Sequence, residues 1–339
     1  MSQADRALYL HGVGHHHPDN VIDNRFLESL DIGTSDEWIV ERVGIRTRRT
    51  VLPLDYIRRT RNADVRAGQE AALFSNVETG RRAALHALAR AGLRPSDIGM
   101  VIAGGCSPEM LIPAEACRIA EALGIEVPAL DVNSACSSFG AQLHLLSSMR
   151  GLPPYVLVVN PENTTRLVDY RDRSSAVLWG DGTSAAVVSA EVPARARIVE
   201  TTLASSPAGC RSVVIPRFSH FTQDGSAVQR FAIKTSLGCL AAMLPTARAH
   251  VAKTGGAVRF VGHQANLLML ESVARRAELD PSAHWHNVVD YGNTGAAGAP
   301  TVLSQHWDEL RPGDTVVVVV VGSGLTWSSL RLEIQGQTT

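Results

Sequence analysis

Asp131-Val-Asn-Ser-Ala-Cys136-Ser-Ser-Phe-Gly140 is the stretch on which the reading of this chain turns. Residues 129–132 have strand character, and the small and apolar residues of 139–149 have helix character. Cys136 therefore falls at a strand-to-helix turn, between Ala135 and Ser137, where backbone crowding is low. A free thiol has a pKa of about 8.5 and is mostly protonated at neutral pH. The unpaired N–H groups and dipole of a helix N-terminus favour the thiolate. Cys136 is the candidate nucleophile, and Cys106, Cys117, Cys210 and Cys239 are read as structural.

Two later segments share its style, one reactive residue among small neighbours. They are Gly262-His263-Gln-Ala-Asn266 and Gly292-Asn293-Thr-Gly-Ala-Ala-Gly298. His263 directly follows an expected strand at 259–262 and precedes an expected helix at 267–277. Asn293 after a glycine also suits a turn, since Asn tolerates left-handed backbone. The Thr-Gly-Ala-Ala run behind it favours a site. Thiol, imidazole and carboxamide are the parts needed to load an acyl group on sulfur and then use a decarboxylated malonyl unit as a carbon nucleophile. A carboxamide donates a hydrogen bond but takes no proton at neutral pH. Asn293 thus argues for carbon–carbon bond formation over acyl transfer to a hydroxyl or amine.

Outward from these segments, strands and helices alternate, which implies an α/β architecture. Short strands are expected at 7–13, 100–103, 155–159, 184–189, 197–201, 315–321 and 330–334. Helices are expected from Ser35, at 77–91 closing at Gly92, at 114–123, at 231–252 and over most of 295–310 despite Pro300. The valine run 316–321 is what a central strand buried on both faces requires. Gly180-Asp-Gly182 and Gly322-Ser-Gly324 each precede a strand near the end of a half, which suggests an internal duplication into 1–190 and 191–339. No Pro/Ser-rich linker separates the halves.

The 339 residues, 45% hydrophobic, can bury a large core, and a net charge of −1 gives no bulk preference for nucleic acid or an anionic membrane. Five scattered cysteines without a CxxC pair fit a reducing compartment. No signal sequence is read before the first strand, and the apolar runs are too short to span a bilayer, so a cytoplasmic location is expected. His15-His16-His17 reads as a solvated loop; a metal tract would need partners at ligand spacing. Arg58, Arg59, Arg61 and Arg66 read as a solvated or interface face, or else as contacts for carrier phosphates.

The residues carry a family likeness. From Thr34-Ser-Asp-Glu-Trp38-Ile-Val-Glu-Arg42, through the Cys136 segment and Trp179-Gly-Asp-Gly182, to Gly324-Leu-Thr-Trp327, the chain resembles the β-ketoacyl-acyl-carrier-protein synthase III family. The resemblance implies a thiolase fold: two similar βαβαβαββ halves in an αβαβα sandwich, assembled as a homodimer. It implies an enzyme whose substrates are thioesters of CoA or of phosphopantetheine on acyl carrier protein, with no further cofactor and no metal. By resemblance, His263 and Asn293 hydrogen-bond the thioester carbonyl of the extender, and the backbone N–H groups of Cys136 and Gly324 form an oxyanion hole. Thr34, Trp38, Arg42 and Arg173 match the mouth of the pantetheine tunnel, and Asn266 holds a water near the site. On residues alone, Trp38 also suits an ordinary core aromatic and Arg173 a surface ion pair.

The match loosens in places. The stretch 50–78 is longer than expected, and the second half of the Asn293 loop departs slightly. Met110, Leu111 and Ile112 stand where the partner subunit would rim the acyl pocket. These departures leave the nucleophile intact and bear on which acyl chain is used. The expected function is condensation of a Cys136-bound acyl group with a malonyl or β-ketoacyl thioester, in fatty-acid or polyketide biosynthesis. The alternative is an acyltransferase of the same fold.

Overall fold

A computed structural model describes residues 7–336. Residues 1–6, expected to lead straight into the first strand, lie outside the described residues. Ten strands form one hydrogen-bonded series. In chain order they are β1 Leu8–His16, β2 Met100–Ala103, β3 Ala129–Asp131, β4 Val156–Glu162, β5 Gly182–Ser189, β6 Ala196–Ser205, β7 Val258–Gly262, β8 His284–Trp285, β9 Thr315–Gly322 and β10 Thr326–Ile334. Across the series they run β8-β7-β9-β10-β6, then β1-β5-β4-β2-β3. Each set of five thus runs third, second, fourth, fifth, first from its outer edge to the seam. In each set the second strand is parallel to the third and fourth, and the fourth antiparallel to the fifth. The seam is a short antiparallel pairing of Leu8, Tyr9 and Leu10 with Ile198, Arg197 and Ala196.

The helices that matter to the site are α1 Asp36–Val43, α2 Asn76–Ala91, α3 Glu115–Ala122, α4 Ser138–Ser148, α5 Gly225–Thr254, α6 Leu267–Arg276 and α7 Gly298–Gln305. The central layer is α4 and α7. Phe139, Leu143 and Leu146 pack there with Val302 and Leu303, against Val158 and Val188 of one half and Val318 and Val320 of the other. Ala83, Ala87 and Ile119 of α2 and α3 cover the outer face of the first half. Leu240, Met243 and Val273 of α5 and α6 cover the second, on Val317 and Val319. The valine run is continuous because alternate residues serve the central and the outer layer. Gly12 and Gly14 let α2 lie directly on β1, since a β-carbon at Gly14 would stand 2.3 Å from the Ala87 nitrogen.

The two halves agree residue by residue near the site. Ala103 of β2 lies opposite Val159 of β4, and Gly262 of β7 lies opposite Val319 of β9. Glu162 and Gly322, the last residues of β4 and β9, therefore occupy equivalent positions. A 3₁₀ turn, Ala135–Ser137, leads into α4, and another, Gly295–Ala297, leads into α7. Both open on a left-handed residue, Ala135 at φ 47° and Gly295 at φ 52°. Cys136 and Ala296 are thus counterparts.

Several expectations need correction. The histidine run is not a solvated loop. β1 continues through it, pairing His15 with Ser184 and His16 with Thr183, and His17 is stacked on Tyr291 with ring centroids 3.9 Å apart. Burial holds these imidazoles neutral, pushing His15 down to about 4 and His17 to about 3. The long helix starts earlier than expected, at Gly225, where the Asp224 carboxylate accepts the Ala227 N–H at 3.1 Å, and it runs through Pro245. The stretch 295–310 is two 3₁₀ turns flanking α7, and Pro300 falls in the first turn of α7, where no N–H is needed. The two-residue β8 is too short for any pattern to mark it. The long stretch 50–78 contains helices Leu54–Thr60 and Val65–Ala71 ahead of α2. Arg58 there pairs with Asp55 at 2.8 Å and Arg66 with Glu70 at 3.2 Å. Arg59 and Arg61 donate to backbone carbonyls. No helix among the described residues is long and apolar enough to cross a membrane, and no cluster of three or more His, Cys, Asp or Glu is arranged to hold a metal.

Candidate active site

Cys136, His263 and Asn293 come from three separate loops and meet at the floor of one cavity of about 380 Å³. They are 7%, 8% and 8% exposed, so access to them is through cavities and not from open surface. The strand-to-turn-to-helix path of 129–148 places Cys136 just ahead of α4, in the field of its N-terminus. Its thiol lies well below the usual range. The Cys106 thiol 3.4 Å away contributes most, burial opposes it, and the His263 imidazole adds to the lowering.

His263 is set by the turn that ends β7. Its carbonyl accepts the Ala265 N–H at 2.8 Å. The neighbouring Gln264 is fully buried and clamps the loop of Asn287 and Val288 through its Oε1. Asn293 is held on both sides by the Trp179-Gly180 segment: its N–H donates to the Leu178 carbonyl at 2.8 Å, and its own carbonyl accepts the Gly180 N–H at 3.0 Å. The Asn293 Oδ1 accepts the Gly295 N–H at 3.0 Å. That bond uses the acceptor end of the carboxamide and leaves the NH₂ end as the available donor.

The Cys136 amide has room around it because residue 322 is glycine. A β-carbon there would stand 3.0 Å from the Cys136 nitrogen and 2.8 Å from the Ser137 nitrogen. At the equivalent place in the other half, the Glu162 carboxylate accepts the Ala296 N–H at 2.8 Å. Of the glycine-rich turn, Gly322, Ser323 and Leu325 line the cavity, and Gly324 does not.

The cavity mouth is formed by Trp38, Arg42 and Val43 of α1 with Asn266 and Met269. The guanidinium of Arg42 lies 5.3 Å from the Trp38 ring centroid and that of Arg173 lies 4.9 Å from it. Arg173 also donates to the Gly33 carbonyl at 2.8 Å, which ties it to the loop carrying Thr34. Arg173 and Thr34 do not line the cavity themselves, and the Thr34 hydroxyl oxygen is buried without a partner. Asn266 caps α6, its Oδ1 accepting the Met269 N–H at 2.8 Å.

A second, smaller cavity of about 170 Å³ adjoins the first and is also lined by Cys136. Cys106, Trp179, Val213, Ile215 and Phe221 are among its walls. The strand pair Val213–Val214 and Thr222–Gln223 that supplies part of them gave no sequence signal, being two residues per strand. Met110, Leu111 and Ile112 line neither cavity and are 48%, 68% and 84% exposed.

Two residues went unread. Cys106, taken as structural, touches the nucleophile. Glu162 is fully buried and accepts the N–H groups of Cys106 at 2.9 Å and Ala296 at 2.8 Å. Burial, followed by the nearby Cys136, pushes it up to about 7. A carboxylate closing a fully buried strand that opens on four apolar residues was the available clue.

The family described as 3-oxoacyl-[acyl-carrier-protein] synthase III matches residues 130–207, and its C-terminal counterpart matches 252–334. The chain is 32% identical to the β-ketoacyl-[acyl-carrier-protein] synthase III of Gloeobacter violaceus, covering 96% of this chain and 97% of that one. The 3-oxoacyl-[acyl-carrier-protein] synthase III of Aquifex aeolicus superposes with a TM-score of 0.82 at 26% identity, over 96% of this chain and 99% of that one. The priming β-ketosynthase of the R1128 polyketide pathway gives 0.78 at 25% identity, over 99% and 98%. Likeness of this extent, over both halves and around a buried cysteine at the mouth of a central helix, makes the chain a thiolase-fold condensing enzyme, an acyltransferase of the β-ketoacyl-acyl-carrier-protein synthase III family.

Proposed function

We propose that Cys136 takes an acyl group from acyl-CoA or an acyl carrier protein and that a malonyl or β-ketoacyl thioester then condenses with it. The single observation that carries this reading is the convergence of Cys136, His263 and Asn293 on one cavity floor. In the first half-reaction the Cys136 sulfur attacks the thioester carbonyl, a tetrahedral oxyanion forms, and the donor thiol leaves. The Cys136 N–H, kept clear by Gly322, faces that oxyanion, and the Gly324 N–H is the second donor by likeness to the family. In the second, loss of CO₂ from a malonyl thioester moves charge onto the thioester oxygen. His263 and the Asn293 NH₂ are the donors for that enolate, which gains more from them than the ground state does. The enolate carbon then attacks the acyl-enzyme and Cys136 leaves as thiolate.

Trp38 with Arg42 and Arg173 suits the adenine and phosphate end of a CoA thioester. We further infer a homodimer in the cytoplasm, with Met110, Leu111 and Ile112 serving the partner's pocket, and two halves divided at 190/191. The alternative acyltransferase would need a proton acceptor where Asn293 offers a donor.

Intact-protein mass spectrometry of the acyl-loaded enzyme tests the reading, with released CO₂ counted after malonyl-carrier protein is added. Loss of the adduct with matching CO₂ is the expected result. A Cys136→Ala protein that still loads would refute the nucleophile. An adduct that persists until a hydroxyl or amine is supplied would favour the acyltransferase. Clearance by a β-ketoacyl thioester without CO₂ would identify a chain-joining enzyme.

A further inference from the structure

The nucleophile has a second thiol as its neighbour. Cys106 Sγ lies 3.4 Å from Cys136 Sγ, and both cysteines line the smaller cavity. Two thiols in contact share the question of which one ionises. The groups around them answer it differently for each sulfur. Cys136 stands at the start of α4 and meets the His263 imidazole. Cys106 stands beside the buried Glu162 carboxylate, to which its backbone N–H donates at 2.9 Å. A negative charge on Cys106 would lie between Glu162 and Cys136, with no cation or helix terminus to stabilise it.

We propose that Cys106 is a positioning residue: its Sγ–H donates to the Cys136 sulfur and, backed by Glu162, keeps the negative charge of the pair on Cys136. No bond to carbon changes and no redox step is involved. The proton stays on the sulfur that faces the carboxylate, and the free thiolate is the one that faces the substrate cavity. The titratable groups facing the pair are Glu162, at the end of β4, and His263, after β7. The Cys106 thiol is raised well above the usual range, by Cys136 first and by burial next, while Cys136 is lowered. The inference rests on the reading of Cys136 as the acyl-accepting thiol.

The test is the pH dependence of iodoacetamide alkylation of the full-length protein, with the labelled site located by peptide mass spectrometry. Wild type, Cys106→Ala, Cys106→Ser and Glu162→Gln are compared. In wild type, label is expected on Cys136, with a titration midpoint below that of an ordinary thiol. Cys106→Ala should move the midpoint up by about one pH unit, which is about tenfold slower labelling at a pH well below both midpoints. Cys106→Ser should restore most of it, because a hydroxyl donates from the same place. Glu162→Gln should make Cys106 labelling detectable. Acyl loading should follow the same midpoints with an unchanged KM for the donor.

An unchanged midpoint in Cys106→Ala overturns the proposal. So does a Cys106→Ser protein that behaves like Cys106→Ala, or wild-type label on Cys106. Thermal melting of each variant separates these outcomes from misfolding, and the isosteric serine variant keeps the test decisive where alanine melts early. A Cys136→Ala protein that still loads acyl groups would sink the functional reading while leaving the titration of the thiol pair as measured.

Discussion

Glu162 is a carboxylate that never meets solvent, and its displacement to about 7 makes it a stability device with a definite sign. The folded protein holds this proton more tightly than the unfolded chain, whose carboxyl titrates at about 4.3. Its contribution is therefore complete below that pH and is lost as pH rises through about 7, a change of roughly 3 kcal/mol. Glu162→Gln keeps the oxygen that accepts from Cys106 and Ala296 and removes the charge. Thermal midpoints of the two proteins should agree at pH 5 and separate by pH 8, with the variant more stable. Asn293→Asp reverses the logic: a carboxylate would face the developing enolate. Condensation should fall by about 10²–10³-fold while acyl loading persists, read by adduct mass and CO₂ release. Cys136, His263 and Asn293 were legible because each stands among small residues that bring the backbone close to substrate. Cys106 and Glu162 were not, because their role comes from a through-space meeting of β2, β4 and the turn before α4.

At the level of elements, patterns long enough to show a period were read correctly, and α2 is the clearest case. Its alanines at 83, 84 and 87 form the buried stripe, Ser75 and Glu78 cap it reciprocally, and Gly92 ends it at φ 67°. The errors fell where tertiary pairing overrides local character. The polar histidines of β1 are extended because β5 lies beside them. β10 reaches from Thr326, well before the expected 330, because β9 and β6 pair with it along its whole length. The close contact of β1 with α2 gives a test at this scale. Gly14→Ala puts a methyl 2.3 Å from the Ala87 nitrogen and 2.4 Å from the Ala83 carbonyl oxygen, both backbone atoms. The variant should lose about 1–3 kcal/mol in urea unfolding, with native spectra at low denaturant.

For the whole molecule, the outer edge of the first half is the informative surface. β3 pairs with β2 on one side only, and Leu130 on it is 41% exposed; Leu111 and Ile112, in the segment before α3, are more exposed still. An unpaired edge with apolar side chains is a surface that globular proteins ordinarily cover. For the homodimer inferred above, Ile112→Asp should halve the mass seen by sedimentation at micromolar concentration and lower condensation with it; an unchanged mass would rule out this edge as the contact. The duplication itself was only faintly legible, in two Gly-x-Gly turns, because sequence drift erases repeats that strand order preserves.

That repeat leaves a trace of ancestry in the site. The two turns are alike in backbone and unlike in what they carry. Ala296 stands where the first turn has Cys136, and the Glu162 carboxylate occupies the amide whose counterpart Gly322 leaves free. Asn293, at the head of the second turn, lines the same cavity as Cys136 of the first, so two like halves present one site rather than two.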